Sequence, residues 1–162
     1  MSDRETFESP PRDWTAGQQR ALGLWIALAR CYSTYSKAVA ATVQEYGLTL
    51  PQFGTLEALY HLGPLTLGEL ADKLLVTGGN VTYVMDRLQS QGLVVRSRAQ
   101  DDRRVVHAEL TDEGRALVAR VFPQHASLIE HLCRHLDVGE QEELRRLLKG
   151  LGKGIAREDL RK

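Results

Sequence analysis

A mainly helical fold is predicted by three features of the sequence. Apolar residues recur at three- and four-residue steps over most of the 162 positions, the spacing of one buried helix face. That period gives way to alternation once, between Leu93 and Leu110, which marks a single β-hairpin. Two capping boxes, Thr49 to Gln52 and Thr66 to Glu69, mark helix starts inside the chain.

The elements follow in order. Residues 1–15 are polar, carry Pro10-Pro11 and read as a flexible tail. Leu22, Trp25, Ile26, Leu28, Ala29, Tyr32 and Tyr35 predict a long helix from Gln18 to about Tyr46, stopped by Gly47. The second helix opens at Thr49 with Pro51 in its first turn, where a missing N–H costs nothing. It carries Phe53, Leu56, Leu59 and Tyr60 and ends at Gly63-Pro64. A short third helix runs from Thr66 to about Leu75, and Thr77 is read as the cap of a fourth, stopping at Gly92. Leu93 to Arg98 and Val105 to Leu110 read as the two strands of the hairpin, with a charged tip from Ala99 to Arg104. Thr111 caps a fifth helix, which Pro123 is expected to kink or to start later. A last helix spans about Val138 to Ile155, with Leu144, Leu147, Leu148 and Leu151 on one side.

Two short helices joined by a tight turn, followed by a hairpin, make a winged helix-turn-helix over about 47–111. Residues 16–46 and 112–162 then form a helical dimerisation region. Their apolar stripes exceed what a small winged domain covers, which predicts a partner subunit.

Composition narrows the function classes. Lys plus Arg equal Asp plus Glu at 21 each, so the chain is no general polyanion binder. Cys31 and Cys133 fit no zinc spacing and read as thiols of a reducing compartment. The N-terminus has no apolar signal core and no run of apolar residues is long enough to span a membrane, so a cytoplasmic location is expected. No cofactor is expected. The sequence holds no G-x-S-x-G, P-loop or H-E-x-x-H pattern. Asp101 and Asp102 are adjacent on a turn rather than opposed across a cleft, and His125, His131 and His135 share one helix without a nucleophile beside them, so an enzyme is not expected.

Within Leu67–Leu88, residues Leu70, Ala71, Leu74, Val76, Val81, Val84 and Leu88 fall where the crossing of two helices needs apolar packing. Thr77, Gly78, Gly79, Asn80, Thr82, Tyr83 and Arg87 then face outward. A recognition helix sets its N-terminal residues against base edges, and its unpaired N–H groups favour phosphate. Gly78 and Gly79 leave the backbone free to approach DNA. Asn80 suits a bidentate pair with adenine, and the Thr82 methyl suits a thymine methyl. Arg87 suits a phosphate or an internal pair with its neighbour Asp86. The hairpin adds Arg96, Arg98, Arg103 and Arg104, a set fit for a narrow minor groove. The domain as a whole carries one acid more than its six basic residues, and only 87–104 is basic. Weak non-specific affinity is therefore expected, with binding carried by specific contacts.

Asp102-Arg103-Arg104, the following strand and Leu110-Thr111-Asp112-Glu113-Gly114 resemble the wing signature of the MarR family of bacterial transcriptional regulators. Thr77–Thr82, Asp86-Arg87-Leu88 and Gly92-Leu93-Val94 are similar to the family as well, and the likeness covers about 17–157. It implies a homodimer built from the first helix and the last two, with recognition helices in successive major grooves of a palindromic double-stranded operator. It implies that Arg104 enters the flanking minor groove and that Asp102 holds the wing. It further implies a repressor, often of its own operon, released by a small phenolic or other aromatic effector. Trp25, Tyr32, Tyr35 and His61 are the candidates to line an effector cleft, although aromatic residues at helical spacing are more often core. Two branches of the family are not supported. The position of the peroxide-sensing cysteine is Trp25 here, and the His131–His135 pair lies further along than the zinc-sensing histidines. The alternatives are a winged-helix protein-interaction module, which would not need Asn80, Thr82, Arg103 and Arg104, and a DNA binder without an effector.

Overall fold

The computed structural model describes residues 14–74, 78–98 and 105–158. Among the described residues there are six helices and three strands: α1 Ala16–Gln44, α2 Leu50–Leu62, β1 Leu65–Thr66, α3 Leu67–Leu74, α4 Gly78–Ser90, β2 Val94–Arg98, β3 Val106–Leu110, α5 Asp112–Cys133 and α6 Val138–Arg157. The chain divides into two compact units, residues 1–37 and 38–162, with α1 running through the boundary.

In the first unit, α1 is continuous but keeps its large apolar side chains in the open. Leu22, Leu24, Trp25, Ile26 and Tyr32 are all exposed.

In the second unit, a single core is built by Val39 and Val43 from the end of α1, Phe53, Leu56 and Leu59 from α2, Leu70 from α3, Val81, Met85 and Leu88 from α4, and Val118 and Val121 from α5. Helix α2 lies at its centre, and its start is fixed in two directions. The Thr49 hydroxyl accepts from the Gln52 N–H, and the Gln52 side chain accepts from the Thr49 N–H at 2.8 Å. Such a cap contributes about 0.5–2 kcal/mol. At the far end of α5, Asp137 and Glu140 form a capping box for α6. Gln141 reaches back to donate to the carbonyl of Cys133, the last residue of α5, and to that of Leu136 in the turn that follows.

The sheet has the order β1-β3-β2 and is antiparallel throughout. Strand β1, two residues long, pairs Leu65 with Ala108 and Thr66 with His107. The sequence predicts the hairpin but not this third strand. The hairpin register, Val94 opposite Leu110 through Arg98 opposite Val106, turns Val94, Ala108 and Leu110 into the core.

Two expectations are corrected. The start of α5 is set by Thr111, as its cap predicts, and the helix continues through Pro123, so of the two effects expected of that proline the later start does not occur. The winding closes around Val118 and Val121, so core packing on one face outweighs the single backbone bond that proline removes. His135 lies beyond the end of α5, in the turn after Cys133, so His131 and His135 are not a pair on one helix. Val84 packs against the core half-buried, as its position in the pattern predicts, and its neighbour Met85, which the pattern does not single out, is fully enclosed.

Helix α6 buries none of its residues. Leu144, Leu147, Leu148, Leu151 and Ile155 are exposed along it. Among the described residues, no helix is long and apolar enough to cross a membrane.

Candidate nucleic-acid interface

Helix α3 is held before it begins. The Glu69 carboxylate accepts from both the N–H and the hydroxyl of Thr66 at 2.8 Å, and the Thr66 hydroxyl accepts from the Glu69 N–H at 3.1 Å. Thr66 is also the last residue of β1, so one residue joins the sheet to the helix-turn-helix. The hydrogen bonds from Thr66 hold the Glu69 carboxyl below the usual carboxylate range, with a smaller contribution from His107 and Lys73. A carboxylate with a depressed pKa stabilises the fold fully above its unfolded value, and that stabilisation fades as pH falls through the folded value. The Tm difference between the wild type and Glu69→Gln should therefore be largest near neutrality and shrink to nothing in acid below the usual carboxylate range. A difference that persists there, followed by circular dichroism, would show that the charge is not what matters.

Helix α4 separates its two faces cleanly. Val81, Met85 and Leu88, at four- and three-residue steps, point into the core. Gly78, Gly79, Asn80, Thr82, Tyr83, Asp86 and Arg87 are exposed. The Thr82 hydroxyl donates to the Gly78 carbonyl at 3.0 Å, which spends its polar atom within the helix. The Arg87 guanidinium lies 5.5 Å from the Tyr83 ring centroid, a cation–π contact on the outer face. Of the residues the sequence singles out, Gly78, Gly79, Asn80, Thr82, Tyr83 and Arg87 thus share one solvent-facing surface of α4. Thr77, Asp102, Arg103 and Arg104 lie outside the described residues, as does Val76.

The open choice for Asp86 is settled by β2. Asp86 pairs with Arg96 at 2.7 Å, not with Arg87. The Arg96 Nε also donates to the Gln89 side chain at 2.6 Å. Of the three arginines in 78–98, Arg96 is therefore neutralised by the helix, while Arg87 and Arg98 stay exposed. Arg96 and Gln89 were not legible as a pair because seven residues and a turn separate them.

The base of the hairpin is tied at one point. The Thr111 hydroxyl donates to the Gly92 carbonyl at 2.7 Å and accepts from the Gly114 N–H, while the Thr111 N–H donates to the Leu93 carbonyl at 3.1 Å. Gly92 enters the hairpin with a φ of 70°, a left-handed conformation that suits glycine. Gly114, in the first turn of α5, packs directly on the Leu93 backbone.

The aromatic candidates are distributed over both units. In the first, Trp25 and Tyr32 are 65% and 69% exposed, and Tyr35 is half-buried. In the second, His61 at the end of α2 stacks edge-on against Phe122 of α5 at 4.6 Å. One turn along, His125 packs on Phe53 at 4.9 Å, with its Nε2 4.0 Å from Glu57. The sequence offered one signal for this layer, histidines placed within the apolar faces of α2 and α5. Among the described residues, no three His, Cys, Asp or Glu side chains are grouped to hold a metal ion.

Comparison with known proteins agrees with this geometry. Residues 46–105 match the model of the MarR family. The HTH-type transcriptional regulator MhqR of Bacillus subtilis is 34% identical over 134 residues, covering 83% of this chain and 92% of its own. Among solved structures, a cysteine-to-serine mutant of MarR from E. coli, complexed with operator DNA, is 26% identical with a TM-score of 0.75, over 82% of this chain and 95% of that one. BpsR of Bordetella bronchiseptica, whose DNA binding is regulated by 6-hydroxynicotinic acid, is 27% identical with the same TM-score, over 80% and 98%. A winged helix-turn-helix with an outward-facing α4 and these relatives together identify the chain as a DNA-binding transcriptional regulator, not an enzyme, that belongs to the MarR family.

Proposed function

We propose that the protein is a cytoplasmic, homodimeric repressor that binds a palindromic double-stranded operator, commonly upstream of its own gene, and leaves it on binding a small phenolic or other aromatic effector. The observation that carries this reading is the division of α4. Its core face is filled by Val81, Met85 and Leu88, which leaves Asn80, Thr82, Tyr83 and Arg87 outside the core on a face open to a partner. In this reading α4 enters the major groove, where Asn80 reads adenine and the Thr82 methyl meets thymine. Arg103 and Arg104 reach the minor groove, and Asp102 braces them.

The dimer reading is supported by α6. Leu144, Leu147, Leu148, Leu151 and Ile155, exposed along one side of α6, make an apolar surface of the kind a second subunit covers. In this arrangement residues 16–46 and 112–162 form the dimerisation region and 47–111 the DNA-binding domain. The effector reading draws support from BpsR, and Trp25, Tyr32, Tyr35 and His61 are the residues assigned to it. The effector acts by changing the spacing of the two recognition helices, which must match half-sites one helical turn apart.

Fluorescence anisotropy with DNA from upstream of the gene tests the reading against a scrambled duplex of equal length. The upstream DNA should bind about 10³-fold tighter or better. Arg104→Ala should weaken it by about 1–3 kcal/mol, and Asn80→Ala should relax the preference at one base pair of each half-site. Equal, weak binding to both duplexes, unchanged by either substitution, would overturn autoregulation through this surface.

A further inference from the structure

We propose that Arg96 is a positioning residue: a strut between wing and recognition helix that sets the angle at which both meet DNA, rather than one of the arginines that touch it. The inference rests on the reading of α4 and the wing as the DNA-binding surface.

Three observations carry it. First, the guanidinium is committed. One terminal nitrogen bonds to Asp86 at 2.7 Å and the Nε to Gln89 at 2.6 Å, so two of the three nitrogens are used. Asp86 and Gln89 are three residues apart, which places them one turn apart on the same side of α4. A group held at two points on a helix fixes rotation as well as distance. Second, Arg96 sits in the middle of β2, opposite Ala108, whose side chain is in the core. The strut therefore starts from the stiffest part of the wing. Arg98, two residues on and exposed, is left to face solvent. Third, the pair is poorly suited to a role in global stability. The Arg96 side chain is half-buried at 26% but its partner Asp86 is 58% exposed, and an ion pair open to solvent on one side contributes little to folding. Its effect is local, on how rigidly two reading elements are joined. Sites held by an unsupported first layer of contacts lose their geometry before the fold loses stability.

The distinction between strut and contact has a measurable form. A phosphate-binding arginine lowers the salt dependence of binding when removed, and it supports specific and non-specific complexes alike. A strut does neither. Its loss leaves the phosphate count unchanged and harms only the complex that needs both grooves read in register. Asp86 gives the sharpest contrast. If Arg96 contacts DNA, removing the acid beside it frees a cation and tightens binding. If Arg96 is a strut, removing the acid loosens binding as much as removing the base.

The experiment uses the full-length protein and a duplex enriched from a randomised pool by the wild type, so that it does not depend on where the operator lies. Specific and scrambled-duplex affinities are measured at several salt concentrations for Arg96→Met, Asp86→Asn and the double variant, with a thermal melt of each. Arg96→Met and Asp86→Asn should each lose roughly tenfold in specific affinity, the size of one mismatched base pair. Scrambled-duplex affinity and the salt slope should not change, and the double variant should be no weaker than either single one. The exchanged pair, Asp86→Arg with Arg96→Asp, should recover part of the loss. Three results overturn the proposal. One is a salt slope reduced by about one in Arg96→Met, which makes it a phosphate contact. Another is Asp86→Asn binding as well as or better than the wild type. The third is a joint fall of both affinities with the melting temperature, which makes the pair a matter of folding alone. A wild type that enriches no sequence fails earlier, and overturns the DNA-binding reading of this surface along with the strut.

Discussion

Gly114→Ala is expected to be among the most damaging single-methyl additions in this protein. A Cβ at Gly114 would stand 3.0 Å from the Leu93 carbonyl carbon, closer still to its oxygen, and 3.4 Å from a Leu110 methyl. The first two are backbone atoms at the entrance to the wing, so no rotamer change relieves the clash. Either α5 lifts off the hairpin or Leu93 is displaced. Lifting α5 breaks the bonds of Thr111 to Gly92 and Leu93, since Thr111 is the cap of the same helix. Overpacking of this kind costs about 1–3 kcal/mol and sometimes more. The two lost hydrogen bonds add about 0.5–1.5 kcal/mol each. Urea denaturation should register the sum, with operator affinity falling in parallel because the wing base has moved. Gly150→Ala is the control. It lies inside α6 with open space where its Cβ would be, so the same chemical change should raise helix stability by about 0.5–1 kcal/mol. A Gly114→Ala protein as stable as the wild type would show that the first turn of α5 can slide freely on the wing, against the packing described above.

Met85→Ala is expected to cost about 2–5 kcal/mol, the range for emptying a large apolar site in a close-packed core. Met85 is fully buried and stands between Val81 and Leu88 on the inner face of α4. The cavity would open under the recognition helix itself, so α4 would lose its seat while every outward residue remained in place. The signature is a large drop in unfolding free energy together with weaker operator binding, the latter restored in part with added osmolyte. Thr82→Ala, one turn earlier on the outer face, gives the opposite profile. Its stability should change by less than about 0.5 kcal/mol, as for most exposed positions, while specific affinity falls. If Met85→Ala melted like the wild type, the seating of α4 would have to come from elsewhere.

The contrast between these positions also shows what can be read without coordinates. Helix limits set by local chemistry were legible: Thr49, Thr66 and Thr111 act within three residues of themselves, and the structure finds each where the capping pattern puts it. The outward set of α4 was legible for the same reason, since a helical period needs only neighbours. What depended on distant partners was not. Leu65-Thr66 is a strand only because Ala108 and His107 lie alongside it. Nothing in a dipeptide after a proline announces that. Val84 and Met85 are adjacent and both apolar, so periodicity could not rank them. Packing against the other core elements decides in favour of Met85, and that is a tertiary property. Arg96 looked like a member of a basic wing because its two partners sit on another element. Thr77, Asp102, Arg103 and Arg104 fall outside the described residues, so their roles rest on the sequence and on the proposal above.

The knot at Thr111 has a consequence for how such a protein can change over evolutionary time. Because Thr111 returns to Gly92 and Leu93, the segment between them is a closed lasso whose mouth is sealed at 2.7 and 3.1 Å. Whatever happens to the chain at the far end of that lasso, α4 and α5 meet the same two carbonyls. The entropy of closing a flexible loop grows only with the logarithm of its length, about 0.6 kcal/mol for each doubling. Residues at the tip can be inserted, deleted or recoded at that small cost, without renegotiating the core. The wing is in this sense an interchangeable reading head, and the price of a new one is set at its neck rather than at its edge.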